Sequence, residues 1–68
     1  MNLKLLVARR EKGLTQNQLA DEAGITQADV SRIEKQGWIP PSEIRQRLAD
    51  ALQTHVEALF EVSDHVSS

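Results

Sequence analysis

Apolar residues recur along the chain at the three- and four-residue spacings that place side chains on one face of a helix. No run alternates apolar and polar residues as a half-buried strand would. Asn2 can cap the first helix, and Gly13 can end it in the left-handed conformation. The pattern predicts a compact, all-α, five-helix domain over residues 1–62 and a flexible tail over residues 63–68. The predicted helices cover about residues 3–12, 15–23, 26–36, 42–52 and 55–62.

Two of these helices begin with the same capping pattern and are separated by a short turn. Thr15 and Gln18 have the spacing of a capping box, and Thr26 and Asp29 repeat it at the start of the third helix. Gly24 can adopt the positive φ that ends the second helix and turns the chain. Two short capped helices joined by a tight turn are typical of a helix-turn-helix motif.

The apolar residues of this motif determine which side of the third helix faces outward. Ala20 is small enough for the second and third helices to approach closely, and Val30 and Ile33 turn one face of the third helix inward. The opposite face can enter a major groove and contact base edges. The candidate base-contacting residues on it are Gln27, Ala28, Ser31 and Arg32.

The composition limits the other functions open to the chain. Its 68 residues suffice for one small domain, and the absence of cysteine excludes disulfides and thiolate metal sites. His55 and His65 are far apart, and Ser31 lacks a catalytic base at a suitable spacing, so we expect no metal, no other cofactor and no enzyme. No apolar run approaches the roughly 20 residues that span a bilayer, which predicts a cytoplasmic protein without a membrane partner.

Charge is unevenly distributed, although the chain as a whole has a net charge of −2. Residues 1–47 contain all eight basic residues against six acidic ones, a net charge of +2, whereas residues 48–68 have a net charge of −4. This asymmetry permits the basic face that a nucleic-acid-binding protein needs.

Residues within and on both sides of this turn form one longer sequence pattern. They are Leu5, Ala8, Arg9, Gly13, Leu14, Thr15, Gln16, Leu19, Ala20, Ala23, Gly24, Ile25, Thr26, Gln27, Val30, Ser31, Arg32, Ile33, Glu34, Pro40, Leu48, Ala49, Ala51, Leu52, Leu59 and Phe60. Over about residues 3–61 this arrangement resembles the phage-repressor type of helix-turn-helix domain, the Cro and cI family. The resemblance implies a lambda-repressor-like fold whose third helix, about residues 26–36, lies in the major groove.

The resemblance also implies roles for individual side chains. Gln27, Ala28 and Arg32 would face bases, and Gln16 would contact a phosphate while bracing Gln27. Arg9 and Glu34 would form an ion pair that ties the first helix to the end of the third. The residues expected to contact phosphates are Gln16, Asn17, Thr26 and Lys35.

The chain departs from the family pattern after the third helix. Gln36 stands where a glycine is usual, Gly37 follows one position later, and residues 37–39 lack the Lys and Arg that often contact the DNA backbone. Gln53 replaces the usual glycine after the fourth helix, and His55 stands where a Ser or Thr cap is usual.

Three residues of the sequence admit more than one interpretation. Asp29 could accept a hydrogen bond from cytosine, although capping its own helix is the favoured interpretation. Trp38 and Ile39 could cover the gap between the third and fourth helices or form a dimer contact.

The leading hypothesis for function is a homodimeric, sequence-specific, double-stranded-DNA-binding transcription regulator, a repressor that occupies a two-fold-symmetric operator. The alternative is a protein-interaction module or antitoxin-like regulator that uses the same fold, its acidic segment 48–68 and Trp38 to bind a protein partner.

Overall fold

The computed structural model of the chain describes residues 1–61. This part of the chain contains helices and no strand, so the predicted all-α class is confirmed. The predicted tail, and the last residue of the predicted domain, lie outside the described residues. The helices are α1 (Leu3–Glu11), α2 (Gln16–Ala23), α3 (Gln27–Gln36), α4 (Ser42–Ala51) and α5 (Val56–Leu59).

The core draws a fully buried aliphatic side chain from every helix. The largest of them are 1% exposed or less, and they are Leu5, Leu19, Ile33, Leu48 and Leu59. Helix α2 packs against both α3 and α4, and α1 closes the other side against α3 and α5. Two small buried residues of α2, Ala20 and Ala23, permit the close approach of its neighbours. Burial of this aliphatic surface is the main stabilising contribution available to so small a domain.

The helix-turn-helix motif has the caps that the sequence predicts. The hydroxyls of Thr15 and Thr26 accept from the amides three residues on, and both capping boxes are complete. Gly24, at φ 71°, ends α2 in the left-handed conformation. The Ile25 amide then donates to the Ala20 carbonyl at 2.9 Å, which fixes the turn and hence the angle at which α3 leaves it.

Helix α5 is shorter than predicted and is followed by extended chain. It ends at Leu59, whereas the apolar pattern predicts a helix to residue 62. The Leu59 carbonyl accepts from the side chain of Asn2 at 2.9 Å instead of from a further turn of α5. Phe60 adopts φ −130° and ψ 141°, and this extended conformation inserts its ring into the core, where it is buried.

Gln53, after the end of α4, occupies the left-handed region at φ 55°. The turn needs this conformation because the next amide, that of Thr54, donates back to the Ala49 carbonyl at 2.9 Å. A side chain here is unfavourable because Cβ crowds the backbone, and this is the position at which the family usually has glycine.

Candidate nucleic-acid interface

Helix α3 has one face in the core and one in solvent. Val30 and Ile33 are fully buried, whereas Gln27, Ala28 and Arg32 are exposed on the opposite side. Their helical spacing places these three side chains next to one another near the start of the helix. Ser31, predicted to be equally exposed, is half-buried.

A buried ion pair lies behind this surface. Arg9 Nε donates to Glu34 Oε2 at 2.7 Å, and Arg9 Nη2 donates to Glu34 Oε1 at 3.2 Å. The two side chains are only 10% and 3% exposed. Arg9 Nη1 also donates to the Leu14 carbonyl at 2.8 Å, so the pair joins α1, the α1–α2 loop and α3. Because the pair is buried and bidentate, we interpret it as an interaction that holds the helices together.

Gln16 connects this ion pair to the exposed end of α3. Its Nε2 donates to Glu34 Oε1 at 3.0 Å, and its Oε1 accepts from Gln27 Nε2. A carboxylate can only accept, so Glu34 dictates which end of the Gln16 amide faces it. The orientation of the Gln27 amide follows in turn, and within residues 1–61 its Oε1 and second Nε2 hydrogen have no partner. The resemblance implies the contact of Gln16 with Gln27, but not its bond to Glu34.

Arg32 is held by two neighbours that the sequence does not reveal. Its guanidinium carbon lies 4.2 Å from the centre of the Trp38 ring. Arg32 Nη1 also lies 3.9 Å from Asp29 Oδ1, while the other oxygen of Asp29 accepts from the Thr26 amide at 3.3 Å. Asp29 therefore caps its own helix, as the favoured interpretation expects, and also faces Arg32.

The loop after α3 separates the two residues that the sequence groups as possible dimer contacts. Trp38 is half-buried and packs against the core, which covers the gap beyond α3. Ile39 is 50% exposed. It lines a shallow groove together with Met1 and Leu3, which are also exposed.

Comparison of the sequence with known proteins identifies the family to which the chain belongs. The sequence model of a family described as helix-turn-helix, of the Cro and cI type, matches residues 5–59. The chain belongs to this helix-turn-helix family. Its members bind DNA and regulate transcription.

Two relatives bear regulatory names. A protein of Methanothermobacter thermautotrophicus, described as an uncharacterized HTH-type transcriptional regulator, is 38% identical over 53 residues, covering 76% of this chain and 77% of the relative. The HTH-type transcriptional repressor RghR of Bacillus subtilis is 42% identical over 59 residues, covering 84% of this chain and 43% of the repressor. This helix-turn-helix chain thus spans less than half of RghR.

The four predicted phosphate-contacting residues of the helix-turn-helix protein are in α2, in α3 or at the start of α3. Asn17, Thr26 and Lys35 are exposed, and Gln16 is half-buried. Thr26 uses its hydroxyl oxygen to accept from Asp29, so its hydroxyl hydrogen is left to donate to a phosphate.

Two further observations concern the described part of this helix-turn-helix protein. Within residues 1–61, no three His, Asp or Glu side chains converge in a way that could hold a metal ion. None of its helices is long and apolar enough to cross a membrane.

Proposed function

We propose that this helix-turn-helix protein is a sequence-specific repressor of transcription that inserts α3 into the major groove of double-stranded DNA. The observation that carries the proposal is the chain of side chains from Arg9 through Glu34 and Gln16 to Gln27. It fixes an exposed amide on the outward face of α3 from within the core. A side chain fixed before binding loses less freedom when it binds, which favours discrimination between bases.

The proposed base contacts follow from the groups that remain free. The free Oε1 of Gln27 can accept from adenine N6, and its remaining Nε2 hydrogen can donate to N7. The Arg32 guanidinium can donate to guanine O6 and N7 together. Ala28 offers a methyl group for a thymine methyl, and the half-buried Ser31 can contribute a hydroxyl at close approach.

Phosphate contacts from Gln16, Asn17, Thr26 and Lys35 would fix the depth and register of α3 in the groove. Of these residues only Lys35 is charged, and Arg32 adds a second positive charge on the same side. The uncharged residues 37–39 contribute nothing to this attraction. We therefore expect a modest electrostatic component of affinity.

A homodimer completes the proposal, because one short helix contacts too few base pairs to select an operator from a genome. We assign the second copy to the apolar surface formed by Met1, Leu3 and Ile39 around their shared groove, since these are three of the large hydrophobic side chains left in solvent. A two-fold contact there would present two copies of α3 to a symmetric operator.

Occupancy of the operator would block polymerase sterically, which requires no catalysis and no cofactor. The description of the relative RghR as a transcriptional repressor supports the choice of repression. This function requires access to the chromosome, so we propose a cytoplasmic location.

The test is selection of bound duplexes from a pool with a random 20-base-pair segment. We expect a palindromic consensus bound by two chains, and loss of selection in the Gln27→Ala, Arg32→Ala double variant. If the wild-type protein enriches no sequence and does not shift bulk duplex at low salt, the proposed function is wrong. The interaction-module alternative would then be the hypothesis to pursue, with the DNA-binding surface serving a protein partner.

A further inference from the structure

We propose that Trp38 is a specificity-determining residue that positions Arg32 for guanine, although the indole itself does not contact a base. This inference rests on the proposed function and goes beyond it, since it assigns to the loop after α3 a part in base selection. The sequence suggests for Trp38 only core cover or a dimer contact.

The backbone brings the two residues together. Gly37 adopts φ 71° and ends α3, and the chain then folds back along the last turn of the helix. The Trp38 amide donates to the Arg32 carbonyl at 3.3 Å. This backbone contact places the indole ring over the Arg32 side chain. The guanidinium carbon of Arg32 lies 4.2 Å from the ring centre.

Contact with the Trp38 ring is compatible with binding by Arg32. A guanidinium stacks through its face, whereas its N–H groups lie in its plane and donate from its edge. Arg32 can therefore keep its contact with Trp38 while donating to guanine O6 and N7. Its side chain is still 50% exposed, which leaves room for a ligand.

Asp29 attracts the same guanidinium from a second direction. Its Oδ1 lies 3.9 Å from Arg32 Nη1, and its Oδ2 is held by the Thr26 amide. Arg32 is thus located by one group in the first turn of α3 and by another just beyond the last turn. Arginine has several rotatable bonds, and immobilising it before binding removes a cost that would otherwise fall on the complex.

The decisive measurement separates positioning from mere packing, because Trp38 also packs against the core. Wild-type protein is first used to select a consensus from the random duplex pool. Arg32→Ala then identifies the base pair at which guanine preference depends on Arg32. Affinities of Trp38→Leu, Trp38→Phe and the Arg32→Ala, Trp38→Leu double variant are measured on four duplexes that differ only at this pair.

We expect Trp38→Leu to reduce the guanine preference at that pair about two- to fivefold, as an exposed cation–π contact predicts, and to leave preferences elsewhere unchanged. Trp38→Phe retains an aromatic face and should fall between wild type and Trp38→Leu. In the Arg32→Ala background, Trp38→Leu should cause no further loss of preference. Ile44→Ala, another half-buried residue packed against the core, should lower stability without changing base preference.

Two outcomes overturn the inference while DNA binding persists. One is an equal loss of affinity on all four duplexes, and the other is additive losses of preference in the double variant. If Trp38→Leu does not fold, Trp38→Phe replaces it both as the single variant and in combination with Arg32→Ala.

Fluorescence of the free protein separates this inference from the proposed function. Trp38 is the sole tryptophan of the chain, and Arg32→Ala should shift its emission because one face of the ring becomes exposed. An unchanged emission spectrum overturns the inference without any reference to DNA. A shifted spectrum together with failure of the wild-type protein to select any duplex refutes the proposed function, and the role in base selection with it.

Discussion

The side chain of Asn2 donates a hydrogen bond of 2.9 Å to the carbonyl of Leu59, a residue 57 positions away. The same side chain caps α1, since Oδ1 accepts from the Leu5 amide at 3.0 Å. The Asn2 backbone amide donates to the Glu34 carbonyl at 2.9 Å. One residue near the start of the chain thus joins three helices, α1, α3 and α5.

We expect Asn2→Ala to lower the free energy of unfolding by about 1–3 kcal/mol, because it removes a helix cap and the partner of the Leu59 carbonyl. Asn2→Asp keeps the cap and loses the donor, so it should be intermediate. Urea denaturation of the three proteins provides the measurement. Equal stability of Asn2→Ala and wild type would show that neither bond stabilises the domain.

The buried ion pair predicts a larger effect. Arg9→Ala or Glu34→Ala should lower the free energy of unfolding by about 3–5 kcal/mol, since each leaves a charge buried without its partner. The control is Glu43→Ala, which breaks the Arg47–Glu43 pair of 2.8 Å between side chains that are 48% and 75% exposed. We expect the control to change stability by less than about 1 kcal/mol. Similar losses in the buried and exposed pairs, measured by thermal unfolding, would contradict this account.

The backbone at Gln53 predicts a stabilising substitution. Gln53→Gly should raise the free energy of unfolding by about 0.5–1 kcal/mol, because glycine accepts φ 55° without crowding. The exposed contact from Lys12 to the Gln53 side chain is lost, and this offsets little of the gain. Gln46→Gly, within α4, provides a control of opposite sign and should cost about 1 kcal/mol. Destabilisation by both substitutions would mean that the left-handed turn is not strained.

Gln27 and Arg32 should differ in their dependence on salt. Replacing either residue by alanine should weaken the binding free energy for the selected operator by about 1–3 kcal/mol. Gln27→Ala should keep the salt dependence of the wild type, whereas Arg32→Ala should reduce the logarithmic slope by up to about 0.9, the value for one phosphate charge. Gln16→Ala should resemble a weaker Gln27→Ala, since it releases the Gln27 amide. Asp21→Ala, whose side chain is exposed on α2, is the control and should bind no more weakly than wild type. Equal losses on operator and random duplex would make Gln27 and Arg32 backbone contacts.

The proposed dimer surface predicts a concentration effect. Ile39→Asp places a charge beside Met1 and Leu3 in this groove, so formation of the two-chain complex on the operator should require about tenfold more protein, if the contact contributes roughly 1.4 kcal/mol. Val7→Asp is a matched control, because Val7 is 49% exposed and Ile39 50% exposed, and Val7 lies outside this groove. Native mass spectrometry of protein–duplex mixtures gives the stoichiometry. A specific complex with one chain per duplex would exclude the dimer.

The sequence predicts local features of this domain well. The caps at Asn2, Thr15 and Thr26 were predictable because each depends on residues within four positions of one another. The structure also confirms the all-α class, and the family match confirms the helix-turn-helix family. The inward face of α3 was predictable because Val30 and Ile33 share a helical spacing.

The resemblance implies the contacts of Arg9 with Glu34 and of Gln16 with Gln27, but other features that depend on distant residues were not predictable. The apolar pattern continues past Leu59, but the helix stops there, where Phe60 becomes extended and the Leu59 carbonyl accepts from the distant Asn2. The stacking of Trp38 on Arg32 depends on the left-handed turn at Gly37, which appears in the sequence only as a displaced glycine. Base contacts and dimerisation remain predictions, since they involve other molecules.

The hydrogen bond from Gln16 to Glu34 has a consequence for how such a domain diversifies. Gln27 and Ala28 are exposed, so gene duplicates could exchange them and acquire new operators with little loss of stability. A substitution at Gln16 would also remove a partner of a buried carboxylate. Descendants of this sequence should therefore vary more readily at positions 27 and 28 than at position 16, and laboratory retargeting should begin at the same two positions.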